Sequence, residues 1–162
     1  MTTIDLSGGL VLVTGGAGSI GRAIARRAEQ AGACIAVCDA DIKEADAVAA
    51  QSRANGAVAK SFEMDVTDRD MVKEVMDSAV KELGPLRGLV TAAGVLRTGP
   101  LSSQSHEDWQ RVMAVNVDGT FHAVQAAIPH LESTQGSIVT LGSVSAFIGS
   151  ADGGAYTTSK GA

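Results

Sequence analysis

The stretch Leu10-Val11-Leu12-Val13-Thr14-Gly15-Gly16-Ala17-Gly18-Ser19-Ile20-Gly21-Arg22-Ala23-Ile24-Ala25 decides the fold. Its first five residues are aliphatic or β-branched and predict a buried strand. Four glycines among the next seven residues predict a sharp turn, and the alanines, arginines and isoleucine that follow have helical spacing. A strand that enters a helix through a glycine turn is the opening half of a βαβ unit. The alternation repeats along the chain, with strands expected near 10–14, 34–38, 58–62, 88–91 and 137–141 and helices near 19–31, 43–55, 68–83 and 107–131. The fold class expected is therefore α/β, a doubly wound parallel sheet of the Rossmann type, formed by a single domain over residues 1–162.

Composition narrows the functional classes. The chain has 162 residues, 45% hydrophobic and 19% charged, which is enough apolar material for one real core. Its net charge of -5 comes from 13 basic and 18 acidic residues with no basic cluster, so no electrostatic track for nucleic acid is expected. No apolar run approaches the ~20 residues of a membrane span. The first nine residues lack the basic start and long apolar stretch of a secretory signal, and a cytoplasmic protein is expected. Cys34 and Cys38 share one face of a predicted strand and read as buried thiols in a reducing compartment. His106, His122 and His130 have no ligand spacing with acidic residues or cysteines, so no metal site is expected and all three read as surface residues.

Several helix starts carry capping spacing: Asp41 with Glu44, Thr67 with Asp70, and Ser105 with Asp108. On the long fourth helix Trp109, Met113 and Val117 recur at helical spacing, a stripe that reads as core or subunit interface.

The glycine turn also carries chemistry. Gly15, Gly18 and Gly21 let backbone approach a pyrophosphate, and Ser19 and Ile20 open a helix whose N-terminal N–H groups and dipole favour that negative charge. Asp39 ends the second strand 18 residues beyond Gly21, where a carboxylate can accept from both hydroxyls of an adenosine ribose and would repel a phosphate there. Neither Ala17 nor Ala40 offers a cation for a 2′-phosphate, so NAD is the cofactor expected rather than NADP. The competing reading is that Asp39 only opens a turn.

In order and spacing these features resemble the short-chain dehydrogenases/reductases, from about Leu10 to the last residue. Thr14 to Gly21 is similar to that family's T-G-x-x-x-G-x-G cofactor loop, and Asp65-Val66 to its adenine-contacting pair. Asn116 resembles the family's helix asparagine, Ser143 its catalytic serine, and Tyr156-Thr157-Thr158-Ser159-Lys160 its Y-x-x-x-K motif. One motif departs: where the family has N-N-A-G after the fourth strand, this chain has Thr91-Ala92-Ala93-Gly94. Ala93 and Gly94 still offer backbone to the cofactor, but the asparagine side chains are missing.

The resemblance implies an oxidoreductase that moves a hydride between NAD(H) and a small-molecule alcohol or ketone. It casts Tyr156 as general acid or base, Lys160 as the charge that favours the phenolate and holds the nicotinamide ribose, Ser143 as donor to the substrate oxygen, and Asn116 as holder of a water leading to Lys160. A phenol near its ordinary pKa of ~10 exchanges protons poorly at neutral pH, and a lysine four residues on along a helix lies on the same face. The family forms homo-dimers and homo-tetramers, which is the assembly expected of a full-length form. Since the sequence stops just after Lys160, it is expected to be a fragment of a longer subunit, with the sheet incomplete on its C-terminal side. The alternative is a nucleotide-binding fragment or regulatory relative without turnover. The substrate itself is not legible, because cyclic dihydrodiols, carrier-linked 3-oxoacyl groups, steroids and sugar alcohols all suit the motifs.

Overall fold

The computed structural model describes residues 4–162. Five strands alternate with helices in chain order: β1 (Leu10–Thr14), α1 (Ser19–Gln30), β2 (Cys34–Asp39), α2 (Ile42–Ala54), β3 (Ala59–Glu63), α3 (Arg69–Leu83), β4 (Leu86–Thr91), α4 (His106–Met113), α5 (Gly119–Thr134), β5 (Ser137–Thr140) and α6 (Gly154–Gly161). The strands form one parallel sheet in the order β3-β2-β1-β4-β5. That is the doubly wound architecture expected, because each strand returns to the sheet through a helix.

The period of two along β1 divides the core. Leu10 and Leu12 join one apolar cluster with Met76 of α3 and Ala123, Ala127 and Leu131 of α5. Val11 and Val13 join the other, with Ala25 and Ala28 of α1 and Ala45 and Ala49 of α2. Full burial of such an aliphatic side chain stabilises by about 1.5–3 kcal/mol, and β1 is buried along its whole length. Small alanines on α1 and α2 let those helices lie close to the sheet. Cys34 and Cys38 are free thiols facing the first cluster, as their spacing predicts, and burial, aided by the charge of Asp39, pushes the Cys38 thiol well above its ordinary range.

Caps set the helix starts. Asp41 accepts from the N–H groups of Lys43 and Glu44, and Ser105 accepts from that of Asp108 at 3.0 Å, both as expected. At α3 the expectation fails: Asp68 is the cap, accepting from Asp70 and Met71, while the Thr67 hydroxyl donates to Asp65 at 2.7 Å. The fourth helix is also not the single run expected over 107–131. It breaks at a π turn, Ala114–Asp118, between α4 and α5, and continues past Pro129 to Thr134, where Gln135 takes the left-handed conformation with φ 54°. Trp109, Met113 and Val117 are half-buried beside the main core stripe of Val112, Val115 and Ala123. No helix among the described residues is long and apolar enough to cross a membrane.

Candidate active site

β1 lies between β2, its successor in the chain, and β4, reached only after two more crossovers, so the winding reverses direction beside β1. In open α/β sheets ligands sit at the carboxyl ends of the strands where the winding reverses. A cleft of 380 Å³ opens there, lined by Gly15, Ala17, Asp39, Asp65, Ala93 and Arg111 among others.

The glycine turn is closed against its surroundings by backbone alone. Gly15 has φ +63°, and a Cβ on it would meet the Ala93 nitrogen at 2.5 Å; one on Gly21 would meet the Gly16 Cα at 2.8 Å and run into the Gly15 carbonyl. Gly16 donates to the Cys38 carbonyl at 2.9 Å, which docks the turn on β2. Beyond it α1 begins at Gly18 with no side-chain cap and no acidic residue in its first turn, and Ser19 and Ile20 are exposed. A cradle without Cβ atoms, facing an uncapped helix N-terminus, fits a phosphate-bearing cofactor.

Asp39 makes the local turn weighed for it, and its second oxygen faces the glycine turn. Its Oδ1 accepts from the Asp41 N–H at 3.1 Å, a local turn, and its Oδ2 accepts from the Ala17 N–H at 3.0 Å, which ties it to the glycine turn. A carboxylate oxygen has two lone pairs, so each keeps capacity for a ligand hydroxyl. Arg22, the nearest cation on α1, is engaged: its Nε donates to the Ala17 carbonyl at 2.6 Å and its guanidinium pairs with Glu44 at 2.5 Å.

Asp65 accepts at Oδ1 from both the N–H (2.9 Å) and the hydroxyl of Thr67, and these bonds, with a smaller contribution from Arg111, hold its carboxyl below the usual range against the opposing effect of burial. Val66 is buried, and its carbonyl lies 2.9 Å from His122 Nδ1, which must carry the proton because the carbonyl can only accept. His122 is therefore a half-buried brace for the Asp65-Val66 turn, and His130 is likewise half-buried, 2.9 Å from Asp77; only His106 is exposed, so the surface reading holds for that one alone.

On the other side of the cleft, Ala93 donates from its N–H to the Thr14 hydroxyl at 3.4 Å, and Gly94 lies against Asn116. Thr91 is 4% exposed and its hydroxyl has no partner among the described residues, which leaves a buried polar group unsatisfied beneath Ala92 and Ala93.

Past β5, Ser143 heads a short 3-10 turn and its Oγ accepts from the Ser145 N–H at 3.1 Å. α6 places Tyr156 and Lys160 one turn apart on one face, with Lys160 Nζ 5.9 Å from the Tyr156 ring centre and donating to the Leu141 carbonyl at 2.9 Å. Asn116, in the π turn, joins the two sides: its side chain bonds Val95, which continues the Ala93-Gly94 wall, and Ser159 of α6. It does not bond a carbonyl in its own helix. Arg111, His122 and Ser159 carry no mark in the sequence, because each acts through an element distant along the chain.

Residues 9–162 match the family model described as short chain dehydrogenase. The 2-(S)-hydroxypropyl-CoM dehydrogenase 3 of Xanthobacter autotrophicus is 41% identical over 154 residues, 94% of this chain and 60% of that protein. A crystal structure of NAD+-bound xylitol dehydrogenase superposes with a TM-score of 0.93 at 33% identity, over 96% of this chain and 61% of that one. A gluconate 5-dehydrogenase from Burkholderia cenocepacia in complex with NADP and tartrate gives a TM-score of 0.92 at 31% identity, over 98% and 63%. The chain thus spans about 60% of the length of the curated relatives it matches.

Proposed function

The chain belongs to the short-chain dehydrogenases, and from that premise we propose that it carries the NAD(H) site and the proton-handling residues of an oxidoreductase acting on a small alcohol or its carbonyl counterpart. The observation that supports this most is the convergence at one set of strand ends: an uncapped, glycine-cradled helix N-terminus on one side of the cleft, and Ser143, Tyr156 and Lys160 past β5. A bound nicotinamide ring would supply the hydride chemistry. The protein's task is geometry and proton movement.

In this reading Gly15, Gly18, Ser19, Ile20 and Gly21 hold the pyrophosphate, Asp65 and Val66 the adenine, and Ala93 and Gly94 the adjacent backbone. The Tyr156 phenol gives or takes the proton on the substrate oxygen, and the Lys160 ammonium, held by Leu141, stabilises the phenolate. Because Ser143 Oγ already accepts from Ser145, its own proton is free to be donated to the substrate oxygen as negative charge develops there. Asp39 selects NAD(H): its carboxylate would repel a 2′-phosphate, and Arg22, engaged with Glu44, is not available to receive one. Two free cysteines fit a cytoplasmic setting, and the exposed Phe121 and Ile128 of α5 fit assembly with a second copy.

Fluorescence titration with both cofactors tests the first part. NADH should bind at least ~10-fold more tightly than NADPH, and Asp39→Ala should narrow that ratio by relieving the repulsion; equal affinities in the parent would remove Asp39 from the site. For the chemistry, Tyr156→Phe in the active enzyme should lower kcat by about 100-fold to 10,000-fold while NADH binding survives. A variant that keeps most of its turnover would show that another group moves the proton.

A further inference from the structure

We infer that Ser159 is a positioning residue for Tyr156 and Lys160, latching their helix to Asn116; the inference rests on the roles proposed above for that pair. Gly153 caps α6 without a side chain, so groups on other elements must satisfy the first N–H groups of the helix. Gln104 Oε1 accepts from the Ala155 N–H at 3.0 Å and fixes the start of the helix. One turn beyond Tyr156, Lys160 Nζ donates to Leu141, but that bond uses the functional ammonium itself. The other polar anchor of that turn is Asn116 Nδ2 donating to Ser159 Oγ at 2.9 Å.

The chemistry of this contact is specific. Ser159 is 6% exposed, and its hydroxyl passes the bond on, donating to the Tyr156 carbonyl at 2.8 Å. The relay therefore ends on the backbone of Tyr156 while starting from the covalent neighbour of Lys160. Asn116 is itself fixed. Its Oδ1 accepts from the Val95 N–H at 2.8 Å, which settles the orientation of the amide, and its Nδ2 also donates to the Val95 carbonyl at 3.1 Å. Both Nδ2 hydrogens are thus used, one of them on Ser159, and removing the serine oxygen leaves a buried N–H unpaired. Only a group that accepts and donates at once can complete the relay, and an alanine at 159 does neither.

The chain has a single tyrosine, so its ultraviolet phenolate band reports Tyr156 without any need for turnover. The elements packed against α6 carry His106, Glu107, Asp108 and Arg111 on α4 and Asp118 in the π turn, and none of these changes in the variants below. The test is a pH titration of the phenolate band in the parent, Lys160→Met and Ser159→Ala, each checked for folding by circular dichroism. Lys160→Met should move the rise of the band to higher pH, because a neighbouring positive charge is lost. Ser159→Ala should move it in the same direction by about half a pH unit, roughly a threefold lower phenolate fraction at a given pH, because the backbone that sets Tyr156 against Lys160 is no longer tied to Asn116. If Lys160→Met shifts the band and Ser159→Ala does not, the latch is overturned while the Tyr156–Lys160 pairing stands. If Lys160→Met leaves the band in place, the pairing fails and takes the latch with it. Should Ser159→Ala not fold, Ser159→Cys, which fills the site while weakening both bonds, takes its place with the same expected direction.

Discussion

β1 and β5 are strands of one parallel sheet, yet all five residues of β1 are buried while three of the four in β5 are exposed. β1 has a strand on each side and a cluster on each face; among the described residues β5 is an edge, with Val139 51% exposed. The contrast extends into the loops. After β1, a Cβ on Gly15 or Gly21 would run into backbone; after β5, Gly142 and Gly149 have open space around them, and Phe147 is 89% exposed. The nucleotide side is therefore shaped by close packing, whose errors are felt at once. The side carrying Ser143, Tyr156 and Lys160 is shaped by a few directed hydrogen bonds from Gln104, Asn116 and Leu141. Packing fixes positions cooperatively, whereas a short list of bonds fixes them one at a time.

The largest effect expected from this difference is on paired glycine substitutions. Gly21→Ala must displace the Gly15–Gly16 backbone, and a loss of about 3 kcal/mol together with loss of NADH binding is expected. Gly149→Ala meets nothing within 4 Å and should stay within about 0.5 kcal/mol of the parent. Urea unfolding of both variants measures this, and similar losses would break the comparison.

Hydrogen exchange reads the same contrast without mutation. Amides of β1 and β2 should exchange only on global opening, while those of β5 and α6 open locally, with protection lower by on the order of 100-fold. Uniform protection across the sheet would mean that the directed bonds hold the exposed side as firmly as packing holds the other.

The same division explains what could be read in advance. The alternation of strands and helices, the glycine turn and the position of Asp39 follow from local pattern: periodicity, turn chemistry and spacing lie within short windows of sequence. Asn116 is reached only through the family resemblance, and the order of the strands is not reached at all. β4 begins at Leu86, ahead of the expected 88, because Arg87 interrupts the apolar run while the pairing with β1 resumes on either side of it through a register shift. The π turn was hidden because its register depends on Asn116 reaching Val95, 21 residues away. Thr67 and Asp68 are both good caps by type, and the choice fell to Asp68 only because Asp65 engages the Thr67 hydroxyl. His122 looked solvated since nothing near it in sequence shows that the Val66 carbonyl lies against α5. Ser159 stands at a position where the motif accepts any residue, and its partner is 43 residues away.

The smallest effect expected concerns Asp65, a place on the packed side where directed bonds to a charge set a wall of the cleft. Asp65 is held below the usual carboxylate range first by the Thr67 N–H and then by the Thr67 hydroxyl. A carboxylate depressed by folding contributes stability that is present above its unfolded pKa, ~3.9, and is lost as the pH falls through its folded value. Thr67→Val removes the hydroxyl donor and keeps the N–H, so at pH 7 it should destabilise by only a few tenths of a kcal/mol, since the half-buried Asp65 keeps the N–H bond and access to water. That gap should shrink as the pH is lowered below ~3.9, where the carboxyl no longer favours the donor. The Gly21→Ala loss should not change over the same range, because no charge is involved. Urea midpoints of the parent, Thr67→Val and Gly21→Ala at both pH values separate the two behaviours. A Thr67→Val gap that stays constant with pH would place the hydroxyl's contribution in packing rather than in its bond to Asp65.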